Sequence, residues 1–111
     1  MTASGDGSAW LFLLIAGVLE IVWAIAMKHS AGFTRAGSGA VTIVAALASF
    51  YFLSRALETL PVGTAYAVWT GIGAVGTALL GMALFSEPRT AARLICIALI
   101  VAGMIGLKLA K

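Results

Sequence analysis

Four apolar runs, each about as long as a bilayer is thick, dominate what this chain can fold into. The first runs from Trp10 to Met27 and is interrupted by a single charge, Glu20. The second, about Ala36 to Leu53, and the third, about Val62 to Phe85, carry no charge. The fourth, about Thr90 to Leu109, keeps Arg93 and Lys108 close enough to its ends to snorkel. A transmembrane helix needs about 20 consecutive apolar residues. Four of them use most of the 111 residues and leave only short loops. Composition agrees: 62% of residues are hydrophobic and 10% charged, against about 25% charged in a typical soluble domain. The reading is an all-α integral membrane protein: one four-helix transmembrane domain over residues 10–111, preceded by a flexible polar tail over residues 1–9.

Other classes fall away. Ala24-Ile25-Ala26 has the form of a signal-peptide cleavage site, but residues 1–9 hold no Lys or Arg and do hold Asp6. The first helix is therefore expected to be retained. The net charge of +3 is spread along the chain, with no basic run for nucleic acid. Cys96 is the single cysteine, which implies neither a disulfide nor a metal site. His29 is the single histidine and sits beside Lys28, where solvated surface is expected. No nucleophile–base arrangement and no phosphate-binding loop for ATP is present, so the chain reads as no enzyme, without cofactor. Gly71-Ile72-Gly73-Ala74-Val75-Gly76 fits G-x-G-x-x-G, but it lies inside an apolar span and not between a strand and a helix. These glycines point to close helix packing or to a hinge at Gly71, Gly73 and Gly76. Gly73, Thr77 and Gly81 form a small-residue ridge on helix 3. Ala98, Ala102 and Gly106 form another on helix 4, either a dimer seam or packing within the chain.

Glu20 is the chemically decisive residue. An ionisable group near the middle of a span is costly, and it is by default a functional-site hypothesis. Ionised, it costs about 3 kcal/mol on insertion scales. Protonating an ordinary glutamate at pH 7 costs about 3.7 kcal/mol. The two costs are similar, so the group can hold a proton or, deprotonated, attract a cation. No basic residue lies at mid-membrane depth to neutralise it. Gly17, Trp23 and Ala24 share its helix face. Trp23 can present its ring to a cation or donate its indole N–H to the carboxylate. Tyr66 and Trp69, three residues apart on helix 3, can donate to a carboxylate and wall a cation site; Tyr66 also fits an interfacial aromatic belt. Ser49 can orient Glu20 or bond the carbonyl four residues before it in its own helix. Arg55 and Glu58 read as a surface pair worth little.

Positive charges hardly distinguish the two sides. Arg55, Lys108 and Lys111 share the side of the N-terminus; Lys28, Arg35, Arg89 and Arg93 take the other, three against four. The positive-inside rule gives no orientation. Oppositely inserted copies can then pair into an antiparallel homodimer, which supplies between subunits the inverted symmetry that larger transporters carry within one chain.

Three segments carry a family resemblance: Gly17-Val18-Leu19-Glu20-Ile21-Val22-Trp23, the loop from Lys28 to Arg35, and the stretch from Pro61 to Gly73. Together they resemble the small multidrug resistance family of bacterial transporters, over roughly Trp10 to Lys108. The resemblance implies an inner-membrane, dual-topology antiparallel homodimer that alternates access. Glu20 would be the shared proton and substrate site, with Tyr66 and Trp69 as the helix 3 aromatic pair. Trp23, Ser49 and Ser86-Glu87-Pro88 look like the guanidinium-exporting subtype. The implied function is a proton-coupled guanidinium antiporter. A promiscuous quaternary-ammonium exporter on the same scaffold is the nearest alternative, with a rotor-ring subunit or a structural membrane subunit behind it. The tail 1–9 departs from the family pattern.

Overall fold

The computed structural model describes residues 3–110. They form four helices: α1 (Ala3–His29), α2 (Ala36–Leu57), α3 (Val62–Leu84) and α4 (Ala91–Ala110). In hydrocarbon no water can satisfy a free N–H or C=O, so each span closes its hydrogen bonds within itself. All four are long and apolar enough to cross a membrane. At 1.5 Å per residue, the 27 residues of α1 reach about 40 Å, close to the bilayer thickness with its headgroups.

Two helices extend past their expected ends. α1 begins at Ala3, so most of the segment read as a tail continues the helix, and Ala9 is buried in the core. Met1 and Thr2 lie outside the described residues. α2 continues one turn beyond Leu53 to Leu57. Arg55 is accommodated there because its guanidinium stacks over Phe12, 5.0 Å from the ring centroid, and donates to Tyr51 Oη at 3.1 Å. The cation can therefore stay on the helix while its stem covers apolar surface.

The core sits toward the N-terminal end of α1. Leu13 and Ala16 of α1 meet Leu53 and Ala56 of α2, and Ala65, Val68 and Trp69 of α3. Alanines at these crossings let the backbones approach closely. Away from this knot α2 and α3 diverge, with α1 behind them, and leave a groove toward the C-terminal end of α1. Helix α4 packs its backbone against α3 alone among the described residues, and none of its residues is buried. The molecule is a slab, 45 × 35 × 17 Å, rather than a closed bundle.

The connections are short and held by local bonds. Ser30 ends α1: its hydroxyl donates to Met27 O at 2.7 Å and accepts from Phe33 N at 3.0 Å. Ala31, Gly32 and Phe33 all take left-handed backbone angles in this turn, and Gly39 leaves room for the Phe33 ring. At the far end of α3 the chain folds back on itself. Glu87 lies against Gly81 and pairs with Arg93 at 2.6 Å, while Arg89 donates to Met82 O at 3.2 Å.

Candidate functional site

Glu20 lies on the α1 face that meets α3, and glycines make that meeting possible. A Cβ on Gly73 would run into the Glu20 carboxylate. One on Gly76 would run into Ile21, and one on Gly17 into Ile72. These three positions therefore form a close α1–α3 crossing centred on the carboxylate. Gly71 serves a different neighbour: a Cβ there would strike Met104 of α4. Helix α3 runs unbroken through Gly71, Gly73 and Gly76, from Val62 to Leu84.

Two polar atoms in this region are buried without a hydrogen-bond partner, Glu20 Oε1 and Trp23 Nε1. The indole N–H does not reach the carboxylate. A buried polar group left unpaired costs about 1–3 kcal/mol, more when charged. The site thus holds an unused acceptor on Glu20 and an unused donor one turn away on Trp23.

Ser49 makes neither of the bonds expected from the sequence. Fully buried, its hydroxyl donates across to α1, to Ala16 O at 2.6 Å, and accepts from Trp69 Nε1 at 2.9 Å. Ala16 stands four residues before Glu20, so in an α-helix its carbonyl also accepts the Glu20 N–H. Trp69, Ser49 and Ala16 form a chain that ties α3 through α2 to the backbone turn carrying the carboxylate. Trp69 is 7% exposed and Phe50 meets its ring edge-on, with centroids 5.9 Å apart. Tyr66 leans on the same ring, 5.4 Å between centroids, but is 57% exposed and makes no bond to Glu20.

Glu20, Trp23, Gly17 and Gly73 are thus gathered directly. Ser49 and Trp69 lie behind, coupled through the backbone, and Tyr66 opens outward from the single chain. Ala98, Ala102 and Gly106 all lie on exposed α4, and a Cβ on Gly106 would meet nothing within 4 Å. The Ala16 carbonyl, the edge-on Phe50 and the seating of Glu20 on Gly73 were missed from sequence. Backbone acceptors leave no trace in side-chain identity, and Gly73 stands among neighbouring glycines, Gly71 and Gly76, whose spacing fits several roles.

At the basic end, His29 is exposed, with Nδ1 2.6 Å from Ser38 Oγ and Nε2 3.3 Å from Arg35 Nη1. Arg55 and Glu58 form the expected exposed pair at 3.6 Å.

Residues 8–100 match the Small Multidrug Resistance protein family. The chain belongs to this family. It is 56% identical over 103 residues to a guanidinium exporter of Yersinia pseudotuberculosis, covering 93% of this chain and 99% of that one. It is 58% identical over 101 residues to a guanidinium exporter of Citrobacter freundii, covering 91% and 96%. A guanidinium exporter of Salmonella typhimurium strain LT2 is 55% identical over the same length and coverage. Membership makes the chain a multi-pass membrane transporter rather than an enzyme, in bacteria a protein of the inner membrane.

Proposed function

We propose that this chain exports guanidinium and small guanidinyl compounds in exchange for protons, with both ligands competing for Glu20. The observation that carries the reading is the buried, unpartnered Oε1 of Glu20 beside Gly73, on a membrane-spanning helix. Guanidinium is planar, permanently charged and weakly hydrated, and its N–H groups fork onto carboxylate oxygens. An acceptor without a donor is what such a cation needs. Trp23 gives the site an aromatic wall. The 55% to 58% identical relatives named guanidinium exporters support the substrate.

The working unit is an antiparallel dual-topology homodimer. The near-even charge balance, the slab shape and the exposed face of α4 at Ala98, Ala102 and Gly106 support it. Pairing brings two Glu20 carboxylates together near the midplane and covers Tyr66 with the partner. Access alternates as the two copies exchange conformations, with α3 bending at Gly71, Gly73 and Gly76. A carboxylate that binds a proton releases the cation. If the empty, deprotonated carrier does not reorient, proton entry drives cation export.

The substrate is tested by solid-supported-membrane currents from proteoliposomes, comparing guanidinium with a tetraalkylammonium. Guanidinium is expected to give the larger transport current. Equal or larger currents from the tetraalkylammonium would replace this reading with the multidrug one.

A further inference from the structure

A groove of about 910 Å³ opens between α2 and α3 with α1 as its floor. Its walls are apolar, formed by Ile21, Ile25, Val41, Leu80 and Leu84. It starts one residue past Glu20 and ends at His29 and Ser38, where the helices leave the membrane. From Ile21 to His29 the floor is about 12 Å long, at 1.5 Å per residue. That is most of one leaflet's share of a hydrocarbon core about 30 Å thick.

The mouth of the groove is basic. Lys28 and Arg35 flank His29 there; the Lys28 ammonium lies 5.7 Å from the Phe85 ring, and Arg35 touches His29. Of the chain's four carboxylate residues, Asp6, Glu20, Glu58 and Glu87, only Glu87 belongs to this end. Arg93 takes it at 2.6 Å. Among the described residues neither Lys28 nor Arg35 has an acidic partner.

We propose that this groove holds one acyl chain of an anionic phospholipid whose phosphate is held by Lys28 and Arg35. An apolar trench that takes up most of a leaflet's depth, capped by unpaired cations at headgroup level, matches that molecule at both ends. The transported cation does not fit it: the trench has no carboxylate and its mouth repels positive charge. A second copy does not fit either. In parallel pairing it would bring the same Lys28 and Arg35 to this mouth, and in antiparallel pairing its Glu58 would arrive already paired with Arg55, beside Lys108. The lipid chain reaches Ile21, whose side chain packs at Gly76 beside the Glu20 crossing, so occupancy sets how far α2 and α3 can close over the site.

The test is native mass spectrometry of the purified protein, released from detergent containing equal amounts of phosphatidylglycerol and phosphatidylcholine with identical acyl chains. Each cation near a membrane surface favours an anionic lipid by about fivefold, so the wild type is expected to retain phosphatidylglycerol by about 25-fold. Lys28→Gln/Arg35→Gln is expected to retain the two lipids equally. Val41 is 49% exposed, so Val41→Trp intrudes on the trench without crowding the core. It is expected to lose both lipids while keeping the wild-type oligomeric state. Undiminished preference in the double variant, or unchanged lipid retention with loss of the oligomer in Val41→Trp, would overturn the proposal.

Discussion

Substituting Gly73 by alanine places one methyl group where the Glu20 carboxylate now lies. The clash is with Oε1, Cδ and Oε2, the mobile end of a side chain, so the carboxylate can rotate away. Holding it off its preferred rotamer costs about 1 kcal/mol. Exchanging glycine for alanine inside a helix returns about 1 kcal/mol. Stability should therefore change by less than about 1 kcal/mol, a shift of a few degrees in Tm. Binding should change far more. Turning the carboxylate aside removes one charge-assisted hydrogen bond to guanidinium, worth about 1.5–3 kcal/mol, or roughly 10- to 100-fold in Kd. Gly76→Ala is the comparator, because its methyl meets Ile21 and not the carboxylate. It should lower stability by about 0–2 kcal/mol, since overpacking costs about 1–3 kcal/mol and the helix propensity of alanine returns about 1 kcal/mol, while guanidinium affinity stays within about threefold. Thermal unfolding in detergent and a guanidinium titration by calorimetry read both quantities. Wild-type affinity in Gly73→Ala, or equal weakening in the two variants, would refute the claim that Gly73 seats the carboxylate.

Three further outcomes follow from the same geometry. Ser49→Ala leaves the Trp69 N–H unpaired in the core and should destabilise the protein by about 1–3 kcal/mol; an unchanged Tm would show that the Trp69–Ser49–Ala16 chain carries no weight. Trp23→Gly removes the aromatic wall and should shift the transport ratio from guanidinium toward tetraalkylammonium ions; a constant ratio would leave Trp23 a packing role. Adding two lysines at the C-terminus and removing Arg35 and Arg89 turns the three-to-four charge balance into five to two. That variant should insert in one orientation and lose guanidinium tolerance, and an oppositely biased partner should restore it. Labelling of a cysteine at Ser4 reports orientation, and full activity from one orientation alone would exclude the antiparallel dimer.

The four spans and Glu20 were legible because lipid imposes a simple rule on sequence: long apolar runs, and any charge within them conspicuous. Helix ends were less legible. Arg55 looks like a loop residue until Phe12 and Tyr51 are seen to hold it on α2. Residues 3–9 are polar enough to read as a tail, yet they continue α1. The sequence places hydroxyl and aromatic residues on their helices without fixing their partners. Ser49 chose a carbonyl on another helix, and that choice depends on a crossing that α2's own sequence does not encode. The glycines were legible as packing residues; only the packed structure separates Gly73 at the carboxylate from Gly71 at Met104.

The central claim is that one carboxylate serves proton and cation in turn. Its most direct test is proton movement in proteoliposomes that carry a guanidinium gradient and no initial pH gradient, followed with an internal pH dye. Guanidinium flowing outward is expected to draw protons inward through the wild type. Glu20→Gln keeps size and hydrogen bonding but cannot take up and release the proton, and it should show no coupled proton movement. Guanidinium flux through the wild type without proton movement, or coupled movement at the wild-type rate in Glu20→Gln, would contradict it.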